Sequence, residues 1–348
     1  MNPYVYMILL SSLGIGTTLT FASSHWLLAW MGLEINTMAI IPLMAQQHHP
    51  RATEAATKYF LTQATAAAMI LFASTTNAWI TGDWNIPQTS HPAATSLLTL
   101  ALALKIGLAP MHFWLPEVLQ GLNLTTGLIL STWQKLAPFI LIYQIAPNTN
   151  PTILTSMGIL STLIGGWGGL NQTQLRKILA YSSIAHLGWM ITILHFMPAL
   201  TLLNLTIYII MTSTMFLSLK SLSATKINSL AITWPKTPIL TVMTMLSLLS
   251  LGGLPPLTGF MPKWLILQEL TKQNLPILAT IMAMSALLSL FFYLRLCYSS
   301  TLTTFPNTNN TTTSWHKKTT QMTMPLTIMA ILTLMLLPTT PIITTMMI

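Results

Sequence analysis

Three ionisable side chains lie deep inside apolar stretches of a chain that carries little other charge. They are Glu34, Lys105 and Lys135, each in a different stretch. On insertion scales, a charge at the centre of a membrane helix costs ~2.5–3.5 kcal/mol, so a charge that persists there usually faces a partner or water. Ionisable groups in such a position therefore indicate a functional site. The alternative is a structural pairing of Glu34 with a lysine.

The composition shows why such residues are unusual here. Of 348 residues, 53% are hydrophobic, and 14 Lys or Arg with 5 Asp or Glu make 19 charged side chains in all. A soluble domain typically presents a surface that is about 25–35% charged. We therefore predict an all-α polytopic membrane protein.

The same counts exclude other classes of site. One cysteine, Cys297, cannot form a disulfide framework, an iron–sulfur cluster or a zinc site from this chain alone. The basic residues are scattered, without the stripe or cluster typical of nucleic-acid binding. We expect no metal site and no nucleic-acid partner.

Apolar runs near the ~20 residues that cross a ~30 Å hydrocarbon core predict eleven transmembrane helices. They cover residues 3–22, 25–45, 57–79, 93–121, 123–145, 151–170, 174–196, 200–221, 238–270, 275–297 and 323–346. The fourth and ninth are too long for a straight helix and contain prolines. An interior proline removes a backbone hydrogen bond and costs ~3 kcal/mol, so both are predicted to be broken helices.

The two predicted breaks resemble each other. Residues 107–117 match 253–263, in an alignment that we expect to need one inserted residue. The spans that contain them are five apart, so the second copy would cross the membrane in the opposite sense. We predict inverted five-helix repeats at 1–145 and 146–297, followed by a loop and a C-terminal transmembrane helix at 298–348. Discontinuous helices at matching positions indicate an ion site; the alternative is two independently kinked helices.

Three further residues join the candidate site. Lys263 directly follows the second break and is the repeat counterpart of Glu117, while His112 lies in the first break. His186 lies midway through the seventh span, and Lys135 precedes Pro138, which is expected to loosen the backbone beside it. A membrane histidine can be a satisfied core group. With the lysines, however, the histidines could form a relay, because histidine titrates near neutral pH.

Loop charges predict the orientation, because Lys and Arg accumulate on the side from which segments are inserted. Loops after even-numbered spans hold Arg51, Lys58, Arg176, Lys177, Lys220, Lys226, Lys236, Arg295, Lys317 and Lys318, whereas loops after odd-numbered spans offer only Lys272. The N-terminus is therefore predicted on the positive side and the C-terminus opposite. Lys58 and Arg295, near span ends, are most simply interfacial anchors.

Several segments of this chain carry a family resemblance. These segments are Ser24–Asn36, Pro50–Gln63, both broken helices and Gly168–Lys177. Together they resemble the chain 2 family of NADH-ubiquinone oxidoreductase, the mitochondrially encoded antiporter-like subunits of respiratory complex I. The resemblance extends over essentially the whole chain.

The resemblance implies a role for each candidate residue. Glu34 resembles the family's partner acid, Lys105 its key lysine on the first broken helix, Lys135 the central linking lysine and Lys263 the lysine at the second break. His186 falls where the family has a polar residue on the central axis. We expect protons to pass along these residues and His112 while electrons move from NADH to ubiquinone elsewhere.

The resemblance also implies the setting. The chain would be a core membrane-arm subunit without its own cofactor, since NADH, FMN, iron–sulfur clusters and ubiquinone belong to other subunits of the complex. Expected partners are other membrane-arm subunits, including neighbouring antiporter-like subunits, and a membrane lipid such as cardiolipin. The expected location is the mitochondrial inner membrane, with the N-terminus in the matrix and the C-terminus in the intermembrane space.

Two other functions remain open from the sequence. A free-standing cation/proton antiporter would need the same lysines and repeats. A passive scaffold of the membrane arm would tolerate neutral residues at positions 34, 105 and 135.

Overall fold

The computed structural model describes residues 2–46, 48–234, 237–301 and 324–347. Regular structure in these ranges is helical. Two isolated β-bridges are also present, one between His25 and Asn85 and one between Gln174 and Lys226. The predicted all-α fold is confirmed. Lys236, Lys317, Lys318 and most of the predicted loop in 298–348 lie outside the described residues.

The chain forms two compact units, Met1–Ser161 and Thr162–Ile348. The first contains α1 (Pro3–Ala22), α2 (Trp26–Met44), α3 (Pro50–Thr81), α4 (Pro92–Ile106), α5 (Trp114–Gly121), α6 (Leu124–Ser131) and α7 (Trp133–Ile145), and the unit boundary falls within α8 (Pro151–Gly169). The second contains α9 (Leu175–Ile193), α10 (Pro198–Leu222), α11 (Ile227–Ala231), α12 (Pro238–Gly252), α13 (Phe260–Lys272), α14 (Pro276–Thr301), α15 (Met324–Met335) and α16 (Thr340–Met347). The predicted repeat boundaries stay a prediction.

Prolines mark where helices begin. Proline is the first residue of α1, α3, α4, α8, α10, α12 and α14. At that position its missing N–H is not needed, and its fixed φ already suits a helix. Side chains just ahead also cap helix starts: Asn2, His25 and His49 each accept a hydrogen bond from a backbone N–H two residues on.

Several helices have the length and polarity of membrane spans. Among the described residues, five segments are long and apolar enough to cross a bilayer: Pro3–Ala22, Trp26–Met44, Leu124–Asn148, Pro198–Leu222 and Pro276–Thr301. The half-helices α4 and α12 are apolar but shorter. The chain is thus a membrane protein of several apolar helices, while the number eleven stays a prediction.

The helix is interrupted at both predicted breaks, and the two interruptions have the same backbone pattern. Gly107 follows α4 at φ +85°, and Gly253 follows α12 at φ +82°. Positive φ is a helix-ending conformation that glycine adopts without steric cost. In each case the next helix begins seven residues after that glycine, at Trp114 and Phe260. The expected inserted residue is therefore not needed.

Two interruptions lie where the sequence analysis did not place them. The fifth predicted span is divided at Thr132 (φ −111°, ψ −70°), between α6 and α7, whereas Pro138 lies inside α7. The last predicted span contains a short 3-10 helix, Leu337–Thr339, between α15 and α16. Thr132 has no glycine or proline beside it, so local sequence gave no signal there.

Helices α1 and α2 approach each other through glycines. A Cβ placed on Gly16 would lie 2.9 Å from the Gly32 carbonyl oxygen and 2.4 Å from Asn36 Oδ1. A Cβ on Gly32 would lie 2.9 Å from the Gly16 carbonyl oxygen. Small residues at such positions let membrane helices pack backbone to backbone. This contact supports the part of α2 that carries Glu34.

Candidate functional site

Lys105 occupies the last turn of α4, and the end of that helix fixes its place. The N–H groups of Gly107 and Leu108 both donate to the Ala103 carbonyl oxygen, each at 2.9 Å, which closes the helix. The C-terminal end of a helix carries a partial negative charge that favours a cation nearby. The ammonium group of Lys105 therefore lies where the backbone itself stabilises positive charge.

The Lys105 ammonium group is buried without a direct partner. The residue is 6% exposed, and Nζ has no hydrogen-bond acceptor among the described residues. Glu34 on α2 acts on it electrostatically, but no direct ion pair between the two occurs within the described part of the chain. A buried polar group without a hydrogen bond costs ~1–3 kcal/mol, more when charged, so water is the expected partner.

Lys105 lines a small cavity, and Lys135 lines it too. The polar part of the wall comes from α2, α3, α4 and α7 and consists of Asn36, Thr37, Tyr59, Gln63, Lys105, Gln134 and Lys135. The cavity leaves about 20 Å³ to the centre of a water molecule. On that measure a buried water needs ~10–15 Å³ and two to four polar partners. The cavity can thus hold water in contact with both lysines.

Lys135 reaches the cavity from the first turn of α7. It is 4% exposed, and the interruption at Thr132 starts α7 only two residues before it. Pro138, one turn further along α7, also lines the cavity. The two lysines therefore come to one cavity from the end of one helix and the beginning of another.

Side-chain amides bind the backbone around the cavity. Gln63 Nε2 lies 3.5 Å from the carbonyl oxygen of Lys105, and Gln134 Nε2 lies 3.5 Å from that of Asn36. The Trp114 indole N–H donates to the Leu104 carbonyl oxygen at 3.0 Å. Gln63 and Trp114 thus bind carbonyls that the end of α4 leaves without a helical donor, whereas Gln134 binds a carbonyl within α2.

Glu34 adjoins the cavity wall, because its chain neighbour Leu33 lines the cavity. Thr37, three residues on, lines the cavity, and its Oγ1 lies 3.2 Å from Glu34 Oε2. The predicted acid is therefore connected to the two predicted lysines within the first unit.

His112 is buried in the first break, with Nδ1 3.2 Å from the Pro110 carbonyl oxygen, and is not part of the cavity wall.

In the second unit, His186 is buried on α9. It is 5% exposed, and its ring centroid lies 5.7 Å from that of Tyr208 on α10. Ser182, one turn earlier on the same helix, donates its hydroxyl to the Leu179 carbonyl oxygen at 2.8 Å. The predicted helical face of Ser182 and His186 thus lies in a buried, partly polar region.

Lys263 lies on α13 and folds back over the second break. Its Nζ donates to the carbonyl oxygens of Gly252, at 2.8 Å, and Leu251, at 3.4 Å, at the end of α12. Lys263 also lines a pocket of about 610 Å³ whose walls are mainly apolar. Its ammonium group therefore caps a helix end.

Glu117 holds the position in the first break that Lys263 holds in the second, ten residues after the helix-ending glycine. Its Oε2 accepts from Lys58 Nζ at 2.8 Å, and Lys58 also contacts Glu54 Oε1 at 2.8 Å. Glu54 lies ahead of the predicted third span, and the Lys58 ammonium group holds the pKa of its carboxyl below the ordinary value. Lys58, predicted as an interfacial anchor, is thus the centre of an exposed ion-pair cluster.

Five polar residues of the cavity wall are not among the predicted site residues. Asn36, Thr37, Tyr59, Gln63 and Gln134 come from three helices, and none had been singled out as a site residue. A signal existed only for Thr37, because residues three apart on a helix lie on one face and Thr37 follows Glu34 at that spacing. The other four become site residues only through tertiary packing.

The sequence of this chain matches known protein families over most of its length. A family profile described as NADH:quinone oxidoreductase/Mrp antiporter, TM, matches residues 23–289, and one described as NADH dehydrogenase subunit 2 C-terminus matches residues 290–344. NADH-ubiquinone oxidoreductase chain 2 of Formosania lacustris is 74% identical over 341 residues, 98% of each chain. That of Carassius auratus is 72% identical over 346 residues, 99% of each chain. The chain belongs to the NADH-ubiquinone oxidoreductase chain 2 family.

A solved structure supports the same assignment. Respiratory complex I from Thermus thermophilus with bound Aureothin contains a chain that is 27% identical, with a TM-score of 0.83 over 97% of this chain and 78% of that one. As a member of the chain 2 family, this protein is an antiporter-like membrane subunit of complex I, an H+-translocating oxidoreductase. The predicted family is confirmed.

Proposed function

We propose that this chain 2 protein carries protons within complex I along a relay of Glu34, Lys105, Lys135, His112, His186 and Lys263. The observation that carries the proposal is the cavity in the first unit. Two buried lysines from different helices line it together, and an acid acts on one of them through space.

The charges suggest how this part of the relay operates. A negative Glu34 stabilises the protonated form of Lys105, since opposite charges attract strongly at low dielectric. When Glu34 is neutralised or drawn away, the ammonium group loses that stabilisation, and its proton passes through cavity water to Lys135. Two ammonium groups beside one small cavity repel each other, which favours one protonated lysine at a time.

The remaining members extend the relay beyond the cavity. His112 is assigned to it because it is buried in the break that follows Lys105. His186 and Lys263 are assigned by their positions in the family pattern and by their places on α9 and at the second break. The driving force comes from electron transfer in other subunits.

We assign the chain eleven spans and two inverted five-helix repeats, followed by a C-terminal helix. The support is the matching backbone pattern at Gly107 and Gly253, with the next helix starting seven residues later in each case. With the loop charges, this topology supports our proposal that the N-terminus lies in the matrix and the C-terminus in the intermembrane space of the mitochondrial inner membrane.

The chain works as part of a multi-subunit membrane complex. We propose that its neighbours include other antiporter-like subunits and a lipid such as cardiolipin. We also propose that it binds no cofactor itself, and that NADH, FMN, the iron–sulfur clusters and ubiquinone are held by other subunits.

The test is the ratio of protons pumped to electrons transferred by the assembled complex in sealed vesicles. Lys105→Met removes the charge and keeps a long apolar side chain. We expect coupled pumping to fall by about 10²-fold or more, the lower range for loss of a proton-transfer group. Lys58→Met is the matched control, because it removes a lysine that is 42% exposed and outside the cavity.

The two variants separate the possible outcomes. Loss of pumping in Lys105→Met with normal assembly, and retention in Lys58→Met, supports the relay. An unchanged ratio and rate in Lys105→Met contradicts it and favours a scaffold. Equal losses in both variants would mean that any lost lysine damages the complex.

A further inference from the structure

Among the described residues Glu34 forms no ion pair with Lys105, and the Thr37 side chain contacts Glu34 and also lines the cavity. Thr37 is 6% exposed and lines the cavity that Lys105 and Lys135 share. Its Oγ1 lies 3.2 Å from Glu34 Oε2 and 2.9 Å from the Glu34 backbone carbonyl oxygen. Thr37 therefore touches the carboxylate on one side and the cavity on the other.

The hydroxyl of Thr37 has two acceptors for one hydrogen. A threonine hydroxyl donates a single hydrogen bond and accepts through two lone pairs. The hydrogen can point to the Glu34 carbonyl oxygen, which is the common local bond of a helical threonine, or to the carboxylate. Rotation about one bond switches between the two arrangements. Only the second joins the carboxylate to the cavity.

We propose that Thr37 is the switchable link between Glu34 and the Lys105–Lys135 cavity, an inference that rests on the relay proposed above. With its hydrogen on the carboxylate, the Thr37 oxygen still accepts from cavity water. A continuous hydrogen-bonded chain then runs from Lys105 through water and Thr37 to Glu34. With its hydrogen on the backbone carbonyl, the chain is broken.

The proton transfer along this chain balances in atoms and charge. An N–H bond of the Lys105 ammonium group breaks, and its proton joins the cavity water. That water passes a proton to Thr37 Oγ1, and the hydrogen first held by Oγ1 moves to Glu34 Oε2. The pair starts as ammonium and carboxylate and ends as amine and carboxylic acid, so the net charge is zero throughout. In reverse, the same transfer reloads Lys105 from a protonated Glu34 after Lys105 has given its proton to Lys135.

Other polar groups of the wall fit this role less well. Gln63 and Gln134 direct their amide N–H groups to backbone carbonyls, and a neutral amide does not pass a proton on as a hydroxyl does. Tyr59 also has a hydroxyl and lines the cavity, but the Thr37 hydroxyl lies within hydrogen-bond distance of the Glu34 carboxylate. Tyr59→Phe therefore makes a suitable comparison.

The experiment compares two substitutions at Thr37 in the assembled complex. Thr37→Val keeps nearly the same shape without the hydroxyl, and Thr37→Ser keeps the hydroxyl without the methyl group. Because loss of a proton-transfer group lowers rates by about 10²–10⁴-fold, we expect Thr37→Val to reduce coupled pumping at least about tenfold. We expect Thr37→Ser to remain within about twofold of the unmodified complex.

The pattern across variants decides the result. Wild-type pumping in Thr37→Val, or a loss confined to Tyr59→Phe, would overturn the proposal. Equal losses in Thr37→Ser and Thr37→Ala, with Thr37→Val normal, would assign the residue to packing and overturn it as well. If Thr37→Val does not assemble, the smaller Thr37→Ala takes its place beside Thr37→Ser.

Lys105→Met in the same preparation separates this inference from the relay itself. If Lys105→Met abolishes pumping while Thr37→Val pumps normally, the relay stands and the Thr37 link is wrong. If Lys105→Met also pumps normally, the relay is wrong, and the link fails with it.

Discussion

The two helix breaks share a backbone and differ in how they use charge. In the first, Lys105 precedes the helix-ending glycine and its ammonium group lines a cavity. In the second, Leu251 holds the same position, and Lys263 from the following helix donates to the carbonyls at the end of α12. Both breaks therefore bring an ammonium group to the negative end of a half-helix, from opposite sides of the interruption.

This difference separates a lysine that can exchange hydrogen-bond partners readily from a relay lysine that also supports a helix end. Lys263 is held by two carbonyl oxygens, whereas the Lys105 Nζ has no acceptor among the described residues. An ammonium group whose N–H donors are not bound to the protein can exchange hydrogen-bond partners at low cost. A group that caps a helix end must break those bonds to move. We therefore expect the first break to be the more reactive and the second the more structural.

The largest effect is expected at the tightest point of the second break. A Cβ on Gly259 would lie 1.8 Å from the Ser250 backbone carbonyl oxygen, whereas the matching position of the first break is the exposed Phe113. Gly259→Ala must therefore displace backbone, at or above the ~1–3 kcal/mol typical of overpacked cores. We expect the complex to lose most of its assembled chain 2, measured on native gels.

Gly252→Ala is the control for that substitution. A Cβ on Gly252 would have its nearest neighbour, Tyr293 Cδ2, at an ordinary 3.7 Å. Normal assembly of Gly259→Ala, or equal loss in both variants, would contradict the proposed difference between the breaks.

Replacement of the two lysines by methionine sharpens the comparison directly. Lys263→Met removes hydrogen bonds from a charged donor, each of which contributes ~1.5–3 kcal/mol. We expect the melting temperature of the complex to fall in Lys263→Met and to stay constant or rise in Lys105→Met, because the buried Lys105 Nζ has no hydrogen-bond acceptor in the described part of the chain. Lys263→Arg, which keeps the donors, should recover much of the loss. A lower melting temperature in Lys105→Met alone would reverse the assignment.

A smaller effect is expected where α1 supports the first break. A Cβ on Gly16 would meet both the Asn36 side chain and the Gly32 carbonyl oxygen, which predicts a cost of ~1–3 kcal/mol for Gly16→Ala. Gly14→Ala on the same helix is the control, since a Cβ there would meet nothing within 4 Å. Alanine is a better helix former than glycine by ~1 kcal/mol, so Gly14→Ala should be neutral or stabilising. The melting temperature of the complex distinguishes the two, and equal shifts would refute close packing at Gly16.

The parts of this fold that sequence could predict are those with local causes. The two breaks follow from Gly107 and Gly253 and from the prolines that come after each of them. Helix α1 begins and ends at the predicted residues because a proline starts it and polar residues follow it. The cavity has no local cause. Thr37 and Gln63 come to the same cavity as Lys105 only because α2 packs on α3 and α3 packs on α4. The Lys263 hydrogen bonds depend on the path of the intervening loop.

The smallest effect is expected at Glu117, which holds in the first break the position that Lys263 holds in the second and forms an exposed ion pair with Lys58. Glu117→Gln removes one partner of Lys58, whose side chain is 42% exposed, and such pairs are weakened by solvent and salt. We expect near-normal pumping and a small fall in melting temperature that disappears at high salt. The fall in Lys263→Met should persist there, because its hydrogen-bond partners are uncharged backbone carbonyls and not opposite charges.

The same cluster predicts the acid dependence. The folded-state pKa of Glu54 is lowered by Lys58, so its contribution is present above the ordinary glutamate pKa of ~4.3 and is lost as the pH falls through the lower folded value. Glu54→Gln should therefore lower the melting temperature slightly at neutral pH and not in acid below that value. If Glu54→Gln still lowered the melting temperature in acid, the Glu54 side chain would act through packing and not through its charge. The exposed cluster would then be a structural contact, as Lys263 is at the second break.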